Sequence, residues 1–149
     1  MLRKFPNQPM APAVERAEGA YLVLEDGTQL LDANAGGSSF AVLGFSHPDV
    51  LEAMRAQMTR YCHVDFNSWA NPLTEELAAL ILSRAPEGLS RVYFAGGSGS
   101  EAVEAAMKLS YQVHHDNGRP ERTWTISRNQ SYHGATLGGL MASELNNLG

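Results

Sequence analysis

The stretch Arg91-Val92-Tyr93-Phe94-Ala95-Gly96-Gly97-Ser98-Gly99-Ser100-Glu101-Ala102-Val103 decides the fold. Its first five residues form a short, mostly apolar run of the kind a buried strand uses, and Gly-Gly-Ser-Gly-Ser interrupts it. Beyond Glu101 the period changes: Ala102, Val103, Ala106, Leu109 and Val113 share one face of a helix predicted to reach about His115. A strand, a glycine-rich turn and a helix in that order leave the first helix amides free at the positive end of the helix dipole. That arrangement suits an anion such as phosphate, and Ser98 and Ser100 add hydroxyl donors. The plainer reading is that Ser98 and Glu101 form a capping box and the glycines only make a tight turn; the two readings are compatible.

Toward the C-terminus, Asp116-Asn117-Gly118-Arg119-Pro120 reads as a turn and Thr123-Trp124-Thr125-Ile126-Ser127 as a second strand. A loop from Arg128 to Gly134 and a helix start at Ala135 follow. Strand, helix, strand, helix predicts an α/β fold: the start of a doubly wound, mainly parallel sheet. Two evident strands are too few to cover both faces of such a sheet, so part of a larger domain is expected. Loops at the carboxyl ends of neighbouring parallel strands share one crevice, which turns Ser131-Tyr132-His133-Gly134 toward the phosphate site. Tyr132 would offer a flat face to an aromatic ligand there; its plainer role is a packed loop aromatic. Gly97, Gly99 and Ala102 also match the outline G-x-G-x-x-A, and Arg128 could meet a 2′-phosphate. An NADP-type dinucleotide-binding domain of an oxidoreductase therefore stays open as an alternative.

Toward the N-terminus, residues 1–18 carry Pro6, Pro9 and Pro12 without periodicity and read as an extended arm. Tyr21 to Asp32 reads as a β-hairpin turning in two residues at Asp26-Gly27. Asn34 to Gly44 reads as a loop with a short strand around Phe40–Val42. A helix opens at Ser46-His47-Pro48-Asp49, with Ser46 as cap and Val50, Leu51, Met54 and Met58 on one stripe to about Tyr61. A further helix runs from Asn71-Pro72 to Ala85 and stops at Pro86-Glu87-Gly88. The expected division is 1–66, an arm, hairpin and first helix belonging to a small domain, and 67–149, the incomplete first part of a large domain.

Composition narrows the function. The 149 residues carry 11 basic and 16 acidic side chains for a formal charge of −5, which argues against a nucleic-acid surface. Hydrophobic residues at 44% and charged residues at 18% exclude a disordered, charge-rich chain. No run of about 18 apolar residues predicts a membrane span, and Met1 to Pro6 lacks the apolar stretch of a secretory signal. One cysteine, Cys62, fits a reducing compartment such as the cytoplasm. Adjacent His114-His115 cannot chelate from one helix face and read as a solvated helix end. Cys62-His63, Asp65, Trp69 and Trp124 read as packing or surface residues.

Phe94 to Lys108, followed some thirty residues later by Ser131-Tyr132-His133-Gly134-Ala135-Thr136-Leu137-Gly138, resembles the class III pyridoxal-phosphate-dependent aminotransferases. Tyr21 to Asp32 resembles that family's N-terminal hairpin, and Gly44 to Val50 its first helix start, so the resemblance covers nearly the whole chain in order. Gly97 stands where the family typically has Asn. The resemblance implies the N-terminal part of a fold-type I transferase that moves an amino group between an amine or amino acid and a keto acid. It implies pyridoxal 5′-phosphate as cofactor and a homodimer when full length. Gly99 and Ser100 are implied as the phosphate cradle, to which Ser98 adds its hydroxyl, Tyr132 as the residue stacking on the pyridine ring, and His133 as its support. Asn34 to Phe40 and the surroundings of Phe66 resemble segments lining the substrate entrance.

The same chemistry requires a lysine to hold the cofactor as a Schiff base and a carboxylate beside the pyridine nitrogen. Only Lys4 and Lys108 are present. Lys4 lies in the arm, and Lys108 lies eight residues beyond Ser100, about 12 Å along a helix at ~1.5 Å per residue. No catalytic residue is therefore expected within these residues. The resemblance places lysine and carboxylate beyond Gly149, which makes this roughly the first third of such an enzyme, inactive by itself. A non-catalytic fragment is the remaining alternative.

Overall fold

The computed structural model describes residues 9–143; Lys4, Pro6 and the first part of the expected arm lie outside them. Two compact units divide the chain, 1–71 and 72–149.

The first unit is built on a three-stranded antiparallel sheet in the order β1 (Val14–Glu18), β2 (Tyr21–Leu24), β3 (Gln29–Leu31). β1 corrects the expected arm. Val14 pairs with Leu24 and Arg16 with Val23, a bulge that absorbs one residue of an irregular sequence. β2 is the central strand, and its consecutive Val23 and Leu24, which point to opposite faces, are both buried.

The hairpin forms where expected, but its connection has three residues. Leu24 N–H donates to Thr28 O at 2.9 Å, leaving Glu25, Asp26 and Gly27 in the loop. Only Gly27 adopts positive φ there (+84°), and the Asp26 carboxylate accepts from Thr28 N–H at 2.9 Å. A two-residue turn would need positive φ at both central positions; the extra residue lets Asp26 keep ordinary backbone geometry.

No strand forms at Phe40–Val42. Ala35–Ser39 makes a π-helical turn instead, and turns follow it. Asp32 sets this up by accepting from Asn34 N–H at 2.9 Å and from Gly36 N–H. Gly44 (φ +82°) carries the chain back to the sheet, where Gly19 and Phe45 exchange backbone hydrogen bonds of 3.0 and 2.7 Å.

Helix α1 (Pro48–Arg60) is capped at His47, not at Ser46. Ser46 turns to φ +55°, and its hydroxyl donates to Ala17 O at 2.8 Å, so the expected cap serves the sheet instead. Pro48 at the first helical position needs no cap partner of its own, since it has no N–H.

The second unit contains α2 (Pro72–Leu82), α3 (Gly99–Asp116) and α4 (Leu137–Met141). α2 ends three residues short of Ala85, in looser turns of which Arg84 N–H to Ile81 O, at 3.1 Å, is one. α4 begins at Leu137, two residues after the expected start, because Thr136 caps it.

The runs 91–95 and 123–127, expected as parallel strands, carry no sheet pairing. Both have strand-forming sequences, but a strand exists only through its neighbour's hydrogen bonds, and no described strand lies beside either. Trp124 and Ile126 stand 93% and 96% exposed.

Candidate functional site

The first turn of α3 supplies the anion-binding geometry. Ser98 caps the helix in extended conformation. Its Oγ accepts from Glu101 N–H at 3.4 Å, and Ser98 N–H donates to Glu101 Oε2 at 3.2 Å, closing the capping box. Gly96 lies so close beneath Glu101 that any side chain there would strike the carboxylate. Of the first helix amides, those of Glu101 and Ala102 are taken by Ser98. Those of Gly99 and Ser100 have no protein acceptor among the described residues. A Cβ built on Gly97 or Gly99 would meet nothing within 4 Å, so the approach to these amides is open. Capping occupies the Glu101 and Ala102 amides and leaves those of Gly99 and Ser100 available to an anion.

The loop after 123–127 docks on this turn. Ala135 N–H donates to Ser100 Oγ at 3.0 Å, which leaves the hydroxyl hydrogen free to donate onward. Gly134 makes the approach possible: its φ is +116°, and a Cβ there would lie 2.8 Å from Ser100 Cα. Three further bonds sew the loop to α4. His133 N–H donates to Ser143 Oγ at 2.8 Å, Ser143 Oγ–H to Gly139 O at 2.6 Å, and Ser131 Oγ–H to Ala142 O at 3.3 Å.

Tyr132, two residues before Gly134, keeps 67% of its surface exposed. His133 is half-buried instead and lines a cavity of about 310 Å³ with Val103, Ala106, Thr125 and Ser127. The structure thus brings Ser100 together with the Tyr132 loop, while Tyr132 and His133 face different surroundings.

Glu104 belongs to the same assembly, although the sequence reading passed over it. Its Oε1 accepts from Gly138 N–H at 2.8 Å, and a Cβ on Gly138 would collide with this carboxylate. The Thr136 hydroxyl and then the Gly138 and Gly139 amides hold the Glu104 carboxyl below the usual carboxylate range. The available signal was spacing: residues four apart share a helix face, so Glu104 lies one turn below Ser100.

Lys108 lines a separate cavity of about 700 Å³ with Tyr93, Glu101, Glu104 and Tyr111. Among the described residues, Arg128 engages the loop through its backbone, where its carbonyl accepts from Ser131 N–H at 3.3 Å. His115 is exposed beside Asp116, at 3.4 Å, whereas His114 is half-buried. Among the described residues, no group of three or more His, Cys, Asp or Glu could hold a metal ion, and no helix is long and apolar enough to cross a membrane.

Comparison with known proteins gives a consistent picture. The family model for class-III aminotransferases matches residues 4–147. An uncharacterised aminotransferase of Schizosaccharomyces pombe is 44% identical over 126 residues, covering 85% of this chain and 27% of the relative. Acetylornithine aminotransferase of Myxococcus xanthus is 37% identical over 143 residues, covering 96% of this chain and 34% of the relative. The crystal structure of the omega transaminase from Pseudomonas jessenii in complex with PMP superposes with a TM-score of 0.87 at 27% identity, over 97% of this chain and 33% of that one. The chain therefore spans about a third or less of the length of these relatives.

Proposed function

This chain belongs to the class-III aminotransferase family, and from that premise we propose that it supplies the phosphate-holding and ring-stacking segments of an aminotransferase. The reaction is transfer of an amino group between an amine or amino acid and a keto acid, and pyridoxal 5′-phosphate is the cofactor. The observation that carries the reading is the pair of unpartnered amides at Gly99 and Ser100, open to solvent at the start of an 18-residue helix.

Those amides, with the free hydroxyl hydrogen of Ser100 and that of Ser98, form a donor set that fits a phosphate ester. The dipole of α3 favours the dianion at that end. Tyr132, exposed on a loop fastened to Ser100, is assigned to cover one face of the cofactor ring. His133, half-buried next to it in the chain, is assigned a supporting role. When bound, the cofactor supplies the electron sink for chemistry at the amino-bearing carbon. This chain's own residues bind the phosphate, orient the ring and cover one of its faces.

We assign the Schiff-base lysine and the carboxylate for the pyridine nitrogen to the part of the relatives' length that this chain does not span, and none of the catalytic residues to Lys4 or Lys108. Residues 1–66 are assigned to the small domain and 67–149 to the large one. A cytoplasmic homodimer is the assembly proposed for the whole enzyme. The dinucleotide-binding alternative draws no support, since the aminotransferase family covers the same glycines and Arg128.

The test uses two ligands. PMP, which has no aldehyde, is expected to bind the 149-residue chain in equilibrium dialysis and to bind Ser100→Ala about tenfold more weakly, as loss of a hydrogen bond to a charged group predicts. Pyridoxal 5′-phosphate is expected to give no protein-linked absorption band that Lys108→Ala removes. Such a band would place a Schiff-base lysine in this chain and overturn the assignment.

A further inference from the structure

We propose that Glu104 is a positioning residue: its carboxylate fastens the turn Thr136–Gly139 to α3 and so holds Tyr132 in register with the phosphate cradle. This rests on the cofactor reading above and extends it to a residue outside the cradle.

Two clasps join α3 to the segment carrying Tyr132. The upper one is Ala135 N–H to Ser100 Oγ at 3.0 Å, and the lower one is Gly138 N–H to Glu104 Oε1 at 2.8 Å. They are one helical turn apart on α3, about 6 Å at ~1.5 Å per residue. On the other side they are three residues apart, so together they fix both the position and the tilt of the segment. One clasp alone would leave a pivot.

The upper clasp uses the same hydroxyl assigned to the phosphate. Ser100 Oγ can accept from Ala135 while donating to the ligand, and each bond polarises the other. Ligand binding and docking of the loop are then linked, and the linkage is reciprocal. The lower clasp matters because it holds the loop in place before the ligand arrives, which removes an ordering cost from binding.

The carboxylate stands one turn from a site for a dianion, an arrangement that charge alone disfavours. The Gly138 amide offsets it by donating to that carboxylate at 2.8 Å, and the Gly139 amide, bonded to Thr136 Oγ1 at 3.3 Å, keeps the turn closed beside it. What the site requires of Glu104 is therefore an acceptor, not a negative charge. Glutamine keeps an acceptor for Gly138 N–H and removes the repulsion; alanine keeps neither.

The experiment compares wild type, Glu104→Ala and Glu104→Gln by PMP binding and by hydrogen exchange at the Ala135, Gly138 and Gly139 amides. Exchange at Leu24 and Asp32 in the other unit serves as an internal reference for folding. Glu104→Ala is expected to speed exchange at all three loop amides about tenfold, leave the reference unchanged and weaken PMP binding about tenfold. Glu104→Gln is expected to restore both readouts to within about twofold of wild type, one acceptor sufficing for the Gly138 bond. Unchanged PMP binding in Glu104→Ala, or a glutamine variant as impaired as alanine, would overturn the role of Glu104 while leaving the cradle intact. A wild-type chain that binds no PMP would remove the cofactor reading and, with it, any role of Glu104 toward a ligand.

Discussion

The sheet at residues 14–31 and the apolar runs at 91–95 and 123–127 use similar residues and reach different ends. In the first, β1, β2 and β3 follow one another through short connections, so each strand finds its partner within a few residues. Antiparallel pairing needs only a turn, and loop closure over so short a distance costs little entropy. In the second, each run is followed by a helix and would need a parallel neighbour brought from elsewhere. None is present among the described residues, and the strand-forming side chains of Trp124 and Ile126 remain in water. Even so, the loop beyond the second run is not left loose. Gly134, Ala135 and Gly138 are held by Ser100 and Glu104 of α3, so side-chain clasps order this region where a sheet does not.

The strongest way to break this contrast is a methyl group at each unit's closest backbone approach. Gly134→Ala combines φ +116° with a Cβ 2.8 Å from Ser100 Cα. It should cost roughly 2–4 kcal/mol of local stability and strip amide protection from the second unit only. Gly44→Ala places its Cβ 2.9 Å from Gly19 O at φ +82° and should do the same to the sheet unit, by roughly 1–3 kcal/mol. Site-resolved hydrogen exchange checks both, and loss of protection in the wrong unit would contradict the contrast.

Next in size is the cap. Ser98→Ala should destabilise α3 by about 1 kcal/mol, and Ser98→Gly by less, read as helicity against denaturant. The β-sheet unit should not respond.

Acid sharpens the comparison further. The Glu104 carboxyl is held low by Thr136, Gly138 and Gly139, so the part of its contribution that comes from the charge is present above its unfolded value and lost as pH falls through the depressed folded one, while the acceptor itself remains. Asp26 in the hairpin turn is lowered in the same sense, first by the Thr28 amide. Following the Gly138 and Thr28 amide resonances from pH 6 downward should show both shifting only below about pH 4.3, the ordinary glutamate value. Movement at neutral pH would refute both assignments.

The smallest effect is expected at Gly97. A Cβ there meets nothing within 4 Å, so Gly97→Ala should stay within about 0.5 kcal/mol of wild type. This is also the position where family members typically carry Asn.

Much of the site was legible because it is local. The Ser98–Glu101 capping box lies within one helical turn, and the glycines beside it announce close backbone approach. The hairpin was legible for the same reason, though not its loop length, since Asp-Gly fits both two- and three-residue connections. β1 was missed because Val14–Glu18 has no alternation of its own and is a strand only through pairing with β2. Ser46 was misread because a good cap residue was drawn to the carbonyl of Ala17, 29 residues away. Glu104 was missed because its partners lie 34 residues downstream.

The sequence by itself determined the family, the helix that starts at Ser98, the glycines that bare its first amides, and the scarcity of lysine. All of these depend on residue identity and short-range spacing. Tertiary structure alone decided which polar groups meet, Ser100 with Ala135 and Glu104 with Gly138, and left Tyr132 exposed while His133 is half-buried. Contacts across 34 or 35 residues depend on where two chain segments come to rest, and residue type does not carry that information until packing has fixed their distance.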